Sequence, residues 1–357
     1  MATVTLDKNK LAYNYNFLKS LLDENNVHMG VVSKLFCGED SFLRELINLG
    51  VREIHDSRVS NLKKIKNIDP SVQTVYIKPP AKNAITQLVK FADVSFNTEY
   101  ETIKLISQEA KRQEKIHRIF IMIEMGDLRE GVMGDDVVDF YESVFELPNI
   151  EVIGVGTNLN CLYGVMPSQD KLIQLGLYKQ LIEAKFNQRI PWVSGGSSVT
   201  IPLIFKSQLP KSVNHFRVGE MLYFGNDLFS GNPVEGLYTD VLKLHAQIIE
   251  LTQKPKVPVG EFGENPSGEQ FEINEEDYGQ ESYRAILDVG LLDANPEYLV
   301  PEDRQLELTG ASSDMLVIDL GENKSNYKVG DYLSFDLKYM GALSLFNSDY
   351  VDKKVIE

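Results

Sequence analysis

Cysteine is scarce in this chain: Cys37 and Cys161 are its only two in 357 residues. Two thiols cannot form a disulfide framework, and so low a count fits a reducing compartment. Basic charge is scarce too, with 36 Lys and Arg against 52 Asp and Glu, a net charge of -16. A protein that grips a nucleic-acid backbone needs a basic face, so this balance argues against that class. Long apolar runs are missing, and none approaches the ~20 residues of a membrane-spanning helix. The opening Met-Ala-Thr-Val-Thr-Leu-Asp-Lys carries no apolar signal core, so the expected location is the cytoplasm. There is no Gly-x-Ser-x-Gly elbow and no Walker motif. The five histidines, His28, His55, His117, His215 and His245, show no metal-ligand spacing. Several of them open strand-like runs and read as structural, so no metal is expected.

Hydrophobic residues make up 43% of the chain and charged residues 25%, ordinary values for a soluble globular protein. The length suits one large domain and a smaller one. Short β-branched runs predict strands at His28–Ser33, Arg52–Asp56, Thr74–Lys78, Asp93–Asn97, Arg118–Glu124, Glu151–Asn158, Trp192–Ser197 and His215–Val218. Amphipathic stretches predict helices between them at Phe42–Leu49, Val59–Ile65, Glu99–Gln113, Asp135–Phe145 and Gln169–Phe186, after a first helix at Lys8–Leu22. About eight β/α repeats is the count of a TIM barrel. An open doubly wound sheet would carry a Gly-rich fingerprint after its first strand, and none is present.

The turn cluster Ser230-Gly231-Asn232-Pro233 marks a change of character. Beyond it come strand-like runs at Tyr238–Glu250, Tyr283–Val289, Gln305–Thr309, Met315–Asp319 and Asp331–Lys338, with no helix of comparable length. The expected division is a barrel over residues 1–229 and a mostly β domain over 230–357. Gly260–Glu281 holds eight acidic residues and no basic one. It reads as a solvated loop, or as an acidic rim that attracts cationic substrates.

Barrel active sites form at the carboxyl ends of the strands, with phosphate commonly held after the seventh and eighth. Those loops here are Ser194-Gly195-Gly196-Ser197-Ser198 and Arg217-Val218-Gly219-Glu220. Their glycines let backbone N–H groups approach a phosphate, and Ser197 and Ser198 can add hydroxyl donors. Lys34 ends the first barrel strand. A strand-end lysine is usually a snorkelling surface charge, but Val31, Val32, Leu35 and Phe36 around this one predict burial, which favours a neutral, nucleophilic amine. A Schiff-base lysine opposite a phosphate cradle is the layout of a pyridoxal phosphate (PLP) site.

Several segments carry a resemblance in order: Val31-Val32-Ser33-Lys34, Asp56-Ser57-Arg58, Gly126–Gly131, Gly156-Thr157-Asn158-Leu159, Ser194–Ser198, Arg217–Glu220, Gly260-Glu261, Arg284-Ala285-Ile286 and Gly310–Asp314. Together they resemble the alanine/ornithine racemase branch of fold-type III PLP enzymes. The resemblance covers nearly the whole chain and implies a barrel, a β domain and a head-to-tail homodimer with composite active sites. It implies that Lys34 is the Schiff-base lysine and a racemisation base, and that Arg217 faces the pyridine nitrogen. An arginine cannot give up its proton there, so the ring stays unprotonated, which favours proton exchange at Cα over transamination. Ser197, Ser198, Gly219 and Glu220 would hold the phosphate, and Asn158 would contact the ring. Arg129 would lie near the substrate carboxylate, with Ser312, Ser313 and Asp314 closing the site from the partner subunit.

One segment departs from that pattern. Alanine racemases take their second base, a tyrosine, from Gly-Tyr-x-Asp, and this chain reads Gly290-Leu291-Leu292-Asp293. Asp293, Asp314 and Tyr283 are the remaining candidates. The expected function is a PLP-dependent racemase of a small or basic amino acid: ornithine, lysine or alanine. The alternatives are a non-catalytic PLP carrier, a PLP-free Schiff-base aldolase and a fold-type III decarboxylase. The decarboxylases' Cys-Glu-Ser-Gly-Asp type segment is not seen.

Overall fold

Thr3–Asp7 forms strand β1, and the Asp7 carboxylate then starts helix α1 (Lys8–Glu24) by accepting the backbone N–H groups of Asn9 and Lys10. The structure is a computed structural model that describes residues 2–264 and 272–357. Contacts divide it into two units, Asp7–Val241 and Met1–Leu6 with Leu242–Ile356. The Ser230–Pro233 turn lies inside the first unit, and β1 pairs within the second. Sequence reasoning had no local signal for that strand, because its partners lie far along the chain.

In the first unit, eight parallel strands close a barrel: β2 (His28–Val32), β3 (Glu53–Asp56), β4 (Gln73–Tyr76), β5 (Val94–Asn97), β6 (His117–Met122), β7 (Ile150–Gly156), β8 (Trp192–Ser197) and β9 (His215–Val218). The helices between them are α2 (Asp40–Asn48), α3 (Val59–Ile68), α4 (Ile85–Phe91), α5 (Tyr100–Arg112), α6 (Val137–Phe145), α7 (Gln169–Phe186) and the short α8 (Pro202–Phe205), with α9 (Glu220–Phe224) after β9. The expected TIM barrel is therefore the observed fold. Val75, Val94, Phe96, Phe120, Met122 and Ile153 form a buried cluster in it, with the Phe96 and Phe120 rings stacked at 4.6 Å. Buried Asn14 ties α1 to this unit by donating to the backbone carbonyls of Leu222 and Tyr238.

The second unit is an eight-stranded sheet. Its main path runs β12 (Leu299–Pro301), β15 (Tyr332–Leu337), β10 (Leu242–Pro255), β11 (Glu281–Leu287), β14 (Leu316–Asp319), β13 (Glu307–Ala311), with β1 joining β10 and β16 (Asp352–Ile356). A nine-residue helix, α10 (Tyr339–Asn347), also belongs to this mostly β unit, where the sequence reading placed no helix. Its buried residues Gly341, Ala342, Leu345 and Phe346 follow helical spacing within an apolar run that can pass for a strand. The middle of the acidic Gly260–Glu281 segment, residues 265–271, lies outside the described residues. No helix among the described residues is long and apolar enough to cross a membrane.

Candidate active site

The carboxyl ends of β7, β8, β9 and β2, adjacent in the barrel, carry most of the expected site residues. Lys34 begins a short 3-10 turn, Lys34–Phe36. With about three residues per turn, that turn buries Leu35 and Phe36 and leaves Lys34 exposed. The burial expected for its amine is therefore not found. What is buried is the support beneath it. Ser33 donates to Asp56 at 2.9 Å, and Asp56 also accepts from the Arg58 N–H and the Asn61 amide. Tyr223 donates to the Val32 carbonyl at 2.8 Å. Glu220 is drawn toward its neutral form by burial, and the charge of Lys34 opposes that.

Ser198 is buried, and its Oγ accepts the backbone N–H groups of Gly219 at 3.2 Å and Met221 at 3.1 Å. The two Gly-containing loops are thereby joined, and the hydroxyl proton of Ser198 remains to donate. Gly196 has φ +137°, and a Cβ there would lie 2.1 Å from the Thr200 hydroxyl, so this turn requires glycine. Gly219 approaches β2 closely, where a Cβ would lie 3.1 Å from the Val32 side chain. Ser197 is half-buried at the end of β8.

Arg217 points its guanidinium inward from β9 and is 5% exposed. It donates to Ser194 Oγ and, at 2.7 Å, to the Thr157 carbonyl, with Asn158 Oδ1 at 3.5 Å. Burial pushes it down to about 10, and the charge of Glu130 offsets part of that, so it stays a cation at neutral pH. Beside it, Asn158 Nδ2 and Thr157 Oγ1 are buried without a hydrogen-bond partner. Buried polar atoms are ordinarily satisfied, so these two point to a polar group not supplied by the chain.

Arg129 lies in the segment after β6 and is half-exposed, paired with Glu130 at 2.6 Å; that bond raises its pKa further. The segment is closed by Gly131, where a Cβ would meet the Glu124 backbone at 2.2 Å. It also contains Asp127, which sequence reasoning did not single out. Its buried carboxylate accepts the backbone N–H groups of Cys161, Leu162, Tyr163 and Val165 at 3.0–3.3 Å. Cys161 itself is exposed.

The remaining candidates belong to the β unit. Asp293 is buried and accepts from the Gly290 N–H at 3.2 Å and Ser348 Oγ at 2.6 Å. That carboxylate caps its own turn, which argues against it as a proton shuttle. Asp314 is exposed in the Ser312–Asp314 loop, with Ser312 Oγ at 3.5 Å, and Tyr283 is exposed on β11. The Gly290–Asp293 turn and this loop are bound together through Leu291 N–H to Ser312 O and Leu292 N–H to Ser313 O. Gly290 allows the contact, since a Cβ would lie 2.4 Å from the Met315 nitrogen.

Inside the barrel, Glu53 and His215, which open β3 and β9, meet His55 further along β3, their candidate ligand atoms all within 4.8 Å of one another. Both imidazole Nε2 atoms lie on the same carboxylate oxygen, at 2.7 Å and 2.8 Å, which is hydrogen bonding rather than the fan of ligands around a cation. His28 and Gln73 reach the other oxygen. Burial pushes the Glu53 carboxyl up, but the bonds from His215, His28 and His55 outweigh it and hold it well below the usual carboxylate range.

Comparison with known proteins gives a consistent result. Residues 6–227 match the family described as "Alanine racemase, N-terminal domain". An ornithine racemase of Acetoanaerobium sticklandii is 36% identical over 354 residues, covering 99% of each chain. A lysine racemase of Thermotoga maritima is 27% identical and covers 90% of this chain and 89% of its own. The alanine racemase of Bartonella henselae, solved with covalently bound pyridoxal phosphate, superposes with a TM-score of 0.72 at 14% identity over 99% of both chains. That last likeness speaks to the fold.

Proposed function

The chain belongs to the alanine racemase N-terminal-domain family, and from that premise we propose that it is a PLP-dependent racemase of a basic amino acid, ornithine or lysine, acting as a homodimer. Membership together with a racemase relative along almost its whole length makes it an isomerase, an amino-acid racemase. The observation that carries the cofactor assignment is the buried Arg217 cation flanked by the unpartnered Asn158 Nδ2 and Thr157 Oγ1. Donors with nothing of the chain's own to bind fit an anionic, acceptor-rich group.

In this reading Lys34 would hold the cofactor, and its amine would serve as one base at the substrate Cα. Ser197, Ser198 and the backbone N–H of Glu220 would hold the phosphate, with Gly219 contributing through its N–H bond to Ser198 Oγ. Arg217 would face the ring nitrogen and, because a guanidinium keeps its proton, would leave that nitrogen an acceptor. Asn158 orients the ring, and Arg129 attracts the substrate carboxylate. Bound there, the cofactor supplies an electron sink that acidifies the Cα proton. Lys34 takes or returns that proton on one face, and a group from the partner subunit works the other. Exposed Asp314, with Ser312 and Ser313 beside it, is the proposed opposing group. The acidic Gly260–Glu281 segment and the relatives named ornithine racemase and lysine racemase support a cationic side chain on the substrate.

The test is an absorption spectrum with added PLP, before and after borohydride, for wild type and Lys34→Ala, with Cα proton exchange in deuterated water. The expected result is a yellow band that borohydride fixes to the protein only when Lys34 is present, and faster exchange of ornithine or lysine than of alanine. Exposed Leu291 and Leu292, where a tyrosine would supply the second base, favour one other reading, a PLP carrier without catalysis. It predicts the band without exchange of any amino acid. No band in wild type removes both.

A further inference from the structure

Arg217 is a buried cation whose hydrogen-bond partners, Ser194 Oγ, Thr157 O and Asn158 Oδ1, are all neutral. A buried charge without compensation is strongly destabilising, and no carboxylate forms an ion pair with it among the described residues. The charge of Glu130 offsets part of that cost, and a second, hydrogen-bonded route leads through two side chains to Glu53. Ser194 Oγ is 2.8 Å from His215 Nδ1, and His215 Nε2 is 2.8 Å from Glu53 Oε1. With His215 kept neutral by its burial, the ends of this chain set its direction. A guanidinium can only donate and a carboxylate can only accept. Ser194 therefore accepts from Arg217 and gives its own proton to His215 Nδ1, and His215 gives its Nε2 proton to Glu53. Every atom on the path is satisfied in one arrangement, with His215 neutral and its tautomer fixed.

We infer that Glu53 and His215 are positioning residues for Arg217, acting through Ser194 to orient and polarise it from the far end of the barrel. The inference rests on the reading of Arg217 as the arginine that faces the cofactor ring. An anion on Nε2 makes Nδ1 a stronger acceptor, which draws out the serine proton and strengthens its oxygen as the partner of Nη1. Nη2 is pinned by Thr157 O, so the plane of the guanidinium is set by two points. Glu53 is itself immobilised, with His55 at 2.7 Å, His28 at 3.2 Å and Gln73 at 2.6 Å as further donors. The neighbouring strand makes room for this cluster. At Gly30, the register partner of Arg217, a Cβ would lie 2.2 Å from His55 Nε2 and 2.7 Å from Glu53 Oε1.

Ser194→Ala, Glu53→Gln and the double variant test the inference, with His215→Gln as a second break in the chain should Glu53→Gln not fold. In PLP-loaded protein, the absorption maximum of the bound cofactor shifts in each variant. Losing a supporting partner lowers kcat roughly 10–100-fold, while KM changes less. Because both substitutions cut one path, the double variant is no worse than the more impaired single. In the cofactor-free protein, the downfield proton resonance of His215 Nε2–H, assigned by its loss in His215→Gln, shifts in Ser194→Ala. Variants with wild-type spectra and turnover, or losses that multiply in the double, would overturn the inference and leave the racemase reading standing. A wild type without a cofactor band sinks that reading, while the imidazole proton still decides whether the chain of bonds exists. A stoichiometric metal in the purified protein would overturn the inference too, because imidazoles bound to a cation cannot donate as described.

Discussion

The histidines carry the most direct prediction at the scale of single residues. His55 and His117 have their pKa pushed by burial down to about 4, from 6.5 in an unfolded chain. His215 and His245 are lowered as well, burial again being the largest cause. Between those values and 6.5 the unfolded chain binds protons that the native one refuses. Their contribution to stability is therefore complete above about pH 6.5 and drains away below it, by at most about 1.4 kcal/mol per pH unit for each group. His28 has the opposite sign, since its bond to Glu53 raises it, and its contribution is lost as pH rises. Four against one leaves a net fall, so the urea midpoint should drop between pH 7.5 and pH 5.5. A flat profile would contradict neutral buried imidazoles. Only part of this was legible in the sequence. Histidines at strand starts read as structural, and His28 and His215 do open β2 and β9. That they share one carboxylate depends on β9, β2 and β3 being neighbours in register, which no local pattern reveals.

Among elements, the loop after β7 is tied down from outside itself. Asp127 takes four of its backbone N–H groups, and hydrogen bonds to a charged acceptor are worth about 1.5–3 kcal/mol each. Asp127→Ala should therefore raise amide exchange across residues 161–165 by roughly 10-fold or more, with α7 protection unchanged. Because the same loop begins near Asn158, PLP affinity should weaken as well. Wild-type exchange in the variant would show that the loop holds itself. The barrel strands were legible because each is a short β-branched run between helical stretches, and β8 and β9 match their expected bounds. Lys34 was misjudged in its surroundings. Its apolar neighbours are buried, but a tight turn faces successive residues in different directions, and hydropathy alone does not register the turn.

At the scale of the whole molecule, a net charge of -16 produces a field that a cationic substrate would feel before it binds. Such a field is screened within about 8 Å at physiological ionic strength. The KM for ornithine should therefore rise when salt is raised from low to high concentration, while that for alanine stays level. Charge reversal at several acids of Gly260–Glu281 should narrow the difference. Equal salt dependence for both amino acids would locate specificity in direct contacts instead. The homodimer proposed above predicts sedimentation at twice the chain mass.

The pairing of Leu6 with Leu242 has a consequence for how the chain comes into being. Strand β1 of the β unit leaves the ribosome before the barrel does, yet its partners in β10 are made only after the entire barrel, and those in β16 later still. Thr3–Leu6 must therefore wait, unpaired, while some 230 residues are synthesised and closed into a separate body. The barrel can nucleate from local β/α contacts as it is synthesised, but the sheet must join the two ends of a very long loop. A strand made before the barrel is thus among the last elements to find its place, and its birth order and its folding order run in opposite directions.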